Sequence, residues 1–327
     1  MKAIVQTKYG APDVLQLTEV STPTPADNEV RIKIYASTVE TTDTIFRGGK
    51  TLSARMFTGP MKPKFTIPGG EFAGVIDAVG KDVTRFKVGD QVFGSSVETF
   101  GAYAEYICLP EDAPMAIKPA DMTHEEAVSI HPGALTALPN LRDAANVQPG
   151  QKVLINGAAG GIGSSAVQLA KYFGAEVTGI CSTDNVDLVK SLGADVVIDY
   201  KQQDFTQTGE TYDVVFDTVG KSSFARSKAV LKEGGIYLTT VISPTILRQM
   251  LWTSRFGSKK AKIVFAGLRS ASDKNADLVL LLELIESGQF KPVIDRSYPL
   301  AQIAEAHRYV EGGHKKGSVV ITMENNS

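Results

Sequence analysis

Lys152-Val-Leu-Ile-Asn-Gly157-Ala-Ala-Gly160-Gly161-Ile162-Gly163-Ser-Ser-Ala166-Val-Gln-Leu169-Ala170-Lys-Tyr-Phe173 is the stretch that decides the fold. It opens as a short apolar run and passes through a cluster of glycines. It then continues with apolar residues at Ile162, Ala166, Leu169, Ala170 and Phe173, the spacing of one helix face. The order is therefore strand, tight turn, helix. Small residues in such a turn let a ligand approach the backbone, and the N–H groups at a helix start favour an anion. A diphosphate meets both conditions.

The dinucleotide-binding pattern Gly-x-Gly-x-x-Gly is met as Ala158-Ala159-Gly160-Gly161-Ile162-Gly163, with alanine in the first place. The match gains weight from its C-terminal neighbours in the chain. A second strand is expected over 176–182, a second helix over 185–192, and further apolar strands over 194–199, 213–217 and 235–241. Strand and helix signals that alternate in this way predict an α/β fold with a parallel, doubly wound sheet. A glycine-rich turn that binds nothing is the competing reading.

A chain of 327 residues suits two domains, and 43% apolar with 21% charged residues is the balance of a globular protein. A net charge of −2 gives no overall attraction to nucleic acid. The start, Met1-Lys-Ala-Ile-Val-Gln, turns polar within a few residues, and no apolar segment is long enough to cross a bilayer, so a cytoplasmic protein without stable membrane insertion is expected. Cys108 and Cys181 each lie in an apolar, strand-like run and read as buried free thiols. No cysteine cluster has zinc spacing, and His124, His131, His307 and His314 form no His-Glu-x-x-His pair. A nucleophile elbow and a Walker-type loop are also missing, which removes most support for hydrolase and phosphoryl-transfer chemistry.

Residues 1 to about 119 read as β-rich. Val30, Ile32 and Ile34 alternate with polar neighbours, and similar runs occupy 72–79, 91–93 and 102–109. Short strands at this spacing predict a barrel-like domain. Between Arg47 and Lys64 a loop is expected, carrying Arg47, Lys50, Arg55, Lys62 and Lys64 without an acid: a solvated loop, or one that attracts an anionic substrate tail. Residues 122–145 are helical in pattern. Thr245 to Phe256, apolar and basic at helical spacing, is a lid, a dimer contact or a plainly packed helix, and an apolar strand is expected over 263–267. Residues 278–285 form an apolar helix. The run 318–323 has strand character closer to the β-rich part, so the chain is expected to re-enter the first domain there.

The pieces Ser37-Thr-Val-Glu40-Thr-Thr-Asp43 with Arg47-Gly-Gly, Pro68-Gly-Gly-Glu71-Phe-Ala-Gly74, Val88-Gly-Asp-Gln-Val-Phe-Gly94, Gly101-Ala-Tyr-Ala-Glu-Tyr106, Ala158 to Gly163, Ile198-Asp-Tyr200 and Lys316-Gly-Ser-Val-Val-Ile321 together resemble one family. It is the medium-chain dehydrogenase/reductase superfamily, in its zinc-independent quinone and enoyl reductase branch, and the resemblance covers nearly the whole chain. It implies a chaperonin-10-like β-barrel catalytic domain over 1–121 and 288–327, with a Rossmann NADP-binding domain over 122–287 and the active site in the cleft. The three catalytic zinc ligands of the family's alcohol dehydrogenases fall here on Glu40, Gly70 and about Pro132, too few donors for a catalytic zinc, which implies metal-free hydride transfer. A one-residue slip of the match would set His131 beside Glu40, a weak two-ligand site.

Enzymes that prefer NADH usually place a carboxylate at the end of the second strand, about 20 residues after the glycines. Here that strand ends Gly179-Ile-Cys181-Ser182-Thr183, with no acid at its tip. The resemblance implies Ala159, Gly160, Gly161, Ile162 and Gly163 at the pyrophosphate, Ser182 and Tyr200 at a 2′-phosphate, and Lys316 as a further contact, so NADPH is expected over NADH. Asp184 departs from this pattern, because relatives commonly offer a basic residue there. For catalysis, Thr42 matches the hydroxyl of the alcohol dehydrogenase proton relay, Tyr103 is a second hydroxyl donor, and Glu40 stands where the branch more often has Asn. Glu40 is read as an acid or base, or, preferably, as a carboxylate with structural hydrogen bonds. The implied protein is an NADPH-dependent homodimer that reduces quinones or α,β-unsaturated carbonyl compounds. A zinc-independent alcohol dehydrogenase and a catalytically silent nucleotide sensor or scaffold are the alternatives.

Overall fold

Strands whose side chains alternate between core and solvent build the first part of the chain. The computed structural model describes residues 1–323. Lys2–Val5 (β1) pairs with Gln16–Glu19 (β2), and Glu29–Val39 (β3) follows as the longest strand. In β3 the side chains of Val30, Ile32 and Ile34 are buried while Arg31, Lys33 and Tyr35 are half-exposed, the period-2 pattern of a strand with one apolar face. Two helices come next, Thr41–Gly48 (α1) and Leu52–Thr58 (α2), before Glu71–Val79 (β4), Gln91–Ser95 (β5), Tyr106–Pro110 (β6) and Met115–Ile117 (β7). The segment expected to be a loop between Arg47 and Lys64 thus holds a short helix. Its signal is local: the Thr51 side chain caps the Ala54 amide at 3.2 Å, and Gly59 ends the helix with φ +124°.

After Thr123 comes the helix His124–Pro139 (α3), and then a series in which strands and helices alternate except between its third and fourth strands. Lys152–Asn156 (β8), Gly161–Tyr172 (α4), Glu176–Cys181 (β9), Val186–Ser191 (α5), Val196–Asp199 (β10), Tyr212–Asp217 (β11), Phe224–Ser227 (α6), Leu231–Thr239 (β12), Pro244–Arg255 (α7) and Lys260–Ile263 (β13) follow in turn. The six strands form one parallel sheet in the order β10-β9-β8-β11-β12-β13. That order reverses direction at β8, the strand that leads into the glycine turn, and it is at such a switch point that open α/β sheets bind ligands.

The strand expected over 263–267 lies earlier, at β13. Ala261 and Ile263 point into the core there, while the Lys260 and Lys262 ammonium groups reach the carbonyls of Thr253 and Ala144, so both lysines are part of an edge strand.

Ala271–Glu286 (α8), Ile294–Pro299 (β14), Ile303–Glu311 (α9) and Ser318–Thr322 (β15) complete the described elements. β15 lies antiparallel to β3, with Val319 opposite Val39, and β14 lies beside β15, so the chain re-enters the first sheet as expected. That sheet has the order β14-β15-β3-β4-β5-β7, with β6 also on β3. The chain divides into two compact units: Met1–Pro132, Ser270–Leu282 and Pro292 onward form one, and Gly133–Arg269 with Glu283–Lys291 the other. The first is cored by Ile4, Ile32, Phe72, Ile76, Tyr103 and Ile321, and the second by Leu154, Ile180, Val215, Leu231 and Tyr237. Cys181 is buried and Cys108 half-buried, both are free, and burial pushes each thiol up to about 11.

Candidate active site

In the second unit, the glycines of the turn have separate reasons to be glycine. Gly157 has φ +84°, so the tight turn falls one residue before the alanine at which the pattern begins. A Cβ on Gly163 would lie 2.0 Å from the Gly157 carbonyl oxygen, so helix α4 can pack this close to the turn only without one. Gly160 is different. A Cβ there would meet nothing nearer than 3.5 Å, so packing does not demand glycine, and the space it leaves belongs to the outer side of the turn. Gly161, Ile162 and Gly163 are the first residues of α4, whose amides have no acceptor within the helix. The Gly160 amide closes the turn on the Gly157 carbonyl at 3.0 Å, and the amides of Gly161, Ile162 and Gly163 form an open cradle at a helix start, which fits a pyrophosphate.

At the tip of β9, the Asn185 amide donates to Ser182 Oγ at 3.1 Å, and the Tyr200 amide donates to the Cys181 carbonyl at 3.0 Å, which brings Ser182 and Tyr200 to one place. The Tyr200 ring is about half exposed, and the buried Asn185 Oδ1 has no partner. Asp184, which breaks the family pattern, has an 81% exposed side chain, and Lys201 Nζ stands 4.0 Å from its carboxylate. Lys201 is a residue that sequence reasoning missed. Its position just after Tyr200 was the available signal, and its ammonium group offsets the charge of the Asp184 carboxylate.

In the first unit, Glu40, Asp43, Glu71, Tyr103 and Lys315 converge. Glu40 precedes α1, and Asp43, in its first turn, accepts from the Glu40 amide at 2.7 Å, as a carboxylate at a helix N-terminus does. Glu71 begins β4 and accepts from Thr38 Oγ1 at 3.0 Å. Lys315, nine-tenths buried, donates to Glu40 Oε2 and to the Gly317 carbonyl, both at 2.7 Å. The other carboxylate oxygen of Glu40 is buried without a partner. Burial, and then the neighbouring Glu40, push the Asp43 carboxyl up to about 7, and burial with Asp43 and Glu40 drives Glu71 well above the usual carboxylate range. Burial beside a single ammonium group thus favours the neutral forms of Asp43 and Glu71.

Of the three candidate catalytic residues, Glu40 is at the cluster and Thr42 is exposed on the first turn of α1. Tyr103 is fully buried, and its hydroxyl donates to the Thr38 carbonyl at 3.0 Å, which sets it behind the carboxyl groups. Lys315 is a second residue that sequence reasoning missed, since the family match points to its neighbour Lys316. The Lys316 amide donates to Asp295 Oδ2 at 2.9 Å.

These residues do not fit a catalytic zinc. Glu40 is engaged by Lys315, Gly70 and Pro132 have no ligating side chain, and among the described residues no group of three or more His, Cys, Asp or Glu side chains is arranged to hold a metal ion. His131 is buried, and burial, with Lys274 nearby, lowers its pKa to about 3.

Comparison with known proteins gives two family matches: an alcohol dehydrogenase GroES-like domain over residues 26–119 and a zinc-binding dehydrogenase domain over residues 192–321. The 2-methylene-furan-3-one reductase of Solanum lycopersicum is 35% identical, over 98% of this chain and 79% of that protein. The chloroplastic NADPH-dependent alkenal/one oxidoreductase of Arabidopsis thaliana is 32% identical over the same shares. Among solved structures, the quinone oxidoreductase from Coxiella burnetii superposes with a TM-score of 0.88 at 29% identity, covering 99% of each chain.

Proposed function

Because this chain belongs to the medium-chain dehydrogenase/reductase superfamily, in its zinc-independent quinone and enoyl reductase branch, we propose that it is an NADPH-dependent reductase of quinones or α,β-unsaturated carbonyl compounds. The observation that carries this reading is the pairing of an open glycine cradle with a carboxylate-free second-strand tip. Ala159, Gly160, Gly161, Ile162 and Gly163 hold the pyrophosphate, Ser182, Tyr200 and Lys201 hold the 2′-phosphate, and Lys316 adds a contact. When bound, the nicotinamide supplies the hydride. In the first unit, the Glu40 carboxylate, held by Lys315, anchors the start of α1, and the exposed Thr42 hydroxyl donates to the substrate carbonyl.

Residues 1–121 and 288–327 serve as the catalytic part and 122–287 as the nucleotide-binding part. The protein acts in the cytoplasm as a homodimer. The dimer is supported by α7, where Ile246, Met250 and Thr253 pack inward while Leu251, Trp252 and Phe256 are more than half exposed. The test is an absorbance screen of NADPH consumption against quinones, enals and enoyl thioesters, repeated with NADH. Turnover with a quinone or enone and tighter use of NADPH are expected. Enone reduction that yields the allylic alcohol, or no turnover across the panel, overturns the reading.

A further inference from the structure

Two surface segments meet beyond the ends of β9 and β10, and side chains or amides from both end on one residue. Asp199, half-buried, closes β10 and lies level with Cys181, the last residue of β9. Its Oδ2 accepts from Thr183 Oγ1 at 2.6 Å and from Gln202 Nε2 at 2.8 Å, and its Oδ1 accepts from the Lys201 amide at 3.0 Å. Its carbonyl accepts the Gln202 and Gln203 amides at 3.0 and 2.9 Å. Residues 182–185 leave β9 and residues 200–203 leave β10, so a single carboxylate ties the two exits together. The 2′-phosphate contacts Ser182, Tyr200 and Lys201 stand on these same segments.

We propose that Asp199 is the positioning residue of the 2′-phosphate site: by pinning the exit of β9 to the exit of β10, it holds Ser182, Tyr200 and Lys201 as one array and so sets the preference for NADPH over NADH. The inference rests on the NADPH reading of that site. Thr183, Tyr200, Lys201 and Gln202 are all exposed, so core packing does little to order them. Side chains that must be ordered on binding cost affinity, and an array already ordered avoids that cost. The residue type suits the task. A short carboxylate accepts several hydrogen bonds and donates none, and its bond to the amide two residues on is an Asx turn.

An acid beside an anion site has two opposed effects, since its charge repels the phosphate while its bonds order the donors. At Asp199 the bonds are three and short, and they meet the charge with donors on both oxygens. Asp184, 81% exposed and 4.0 Å from Lys201 Nζ, has no comparable hold on either segment. Asparagine separates the two effects at position 199. Its oxygen can take the Lys201 amide, while its NH2 group donates to Thr183 Oγ1 and to a Gln202 side chain turned end for end. D199N thus keeps the pin without the charge, and D199A removes both.

The test is calorimetry of the whole chain with NADPH and with NADH, which differ by the 2′-phosphate alone, and it needs no substrate. D199A is expected to weaken NADPH about tenfold and leave the Kd for NADH unchanged, and D199N to restore the wild-type value for NADPH. T183V, which removes one of the pinned hydroxyls, is expected to show a smaller loss of about threefold, again for NADPH only, and D199A/T183V no more than D199A alone, as partners in one contact do. Tighter NADPH binding by D199A would make repulsion the stronger effect and overturn the proposal. Equal losses for both nucleotides, or a D199N no better than D199A, overturn it as well. If D199A does not fold, T183V decides the matter, and an unchanged NADPH affinity there sinks the pin. A wild type that binds NADH as tightly as NADPH overturns the NADPH reading and the pin with it.

Discussion

Asp43 stores stability as well as protons. Its folded pKa of about 7 lies above the unfolded value near 3.8, so the folded state binds the extra proton in between. The contribution is fully present below the unfolded pKa and is lost as pH rises through about 7. His131 and His307 act in the opposite sense: each is lowered to about 3, so their contribution is present above 6.5 and is lost as pH falls through 3. Thermal melts are expected to show the wild-type Tm falling relative to that of D43N as pH rises from about 4 to 7 and running parallel to it above about pH 8; a constant difference across that range would place the Asp43 proton elsewhere. At the other end of the chemistry, Lys201→Ala is expected to weaken NADPH binding about tenfold and leave NADH nearly unchanged, the loss of one charge-assisted contact. Fluorescence titration with both nucleotides reads this out, and equal losses for the two would remove Lys201 from the 2′-phosphate.

At the scale of elements, the turn between β8 and α4 tolerates little. Gly163→Ala puts a carbon 2.0 Å from the Gly157 carbonyl, and backbone on both sides must move. A loss of about 1–3 kcal/mol in unfolding free energy and of detectable nucleotide binding is expected, measured by denaturant titration and calorimetry. Gly160→Ala, which has room for its methyl, is expected to keep stability and lose affinity. A result in which the two variants behave alike would mean that the turn serves packing only. Helix α7 makes a separate prediction. L251E/W252E charges its exposed apolar face; light scattering is expected to show a dimer for the wild type and a monomer for the variant, with the near-ultraviolet signature of the fold retained. An unchanged mass would assign that face another role.

For the whole molecule, local periodicity made most of the architecture legible. The parallel sheet could be read because strand and helix signals alternated, and the return of β15 to the first sheet because its apolar run matched the strands there. What stayed hidden was long-range. Nothing near Lys315 in sequence announces that its ammonium lies 2.7 Å from Glu40, and Arg47 reads as one basic residue in a loop until its burial against Glu311 is seen. Glycine φ angles decided a finer point, shifting the tight turn from Ala158 to Gly157. The donor set at Glu40, Gly70 and Pro132 also makes a prediction at this scale: chelation is expected to leave enone reduction unchanged, and a loss restored by added zinc would contradict the ligand chemistry.

The pairing of Val319 with Val39 has a consequence for how the polypeptide is made. The Rossmann sheet is drawn from one continuous run of chain, β8 to β13, and can assemble as that run leaves the ribosome. The first sheet can only begin that way: β3 meets β4 and β6 early, but its Val39 end waits for a partner encoded 280 positions later, and Glu40 waits about as long for Lys315. During translation the nucleotide-binding sheet therefore matures before the carboxyl cluster acquires its counter-charge, and the ability to grip a pyridine nucleotide precedes the ability to use one.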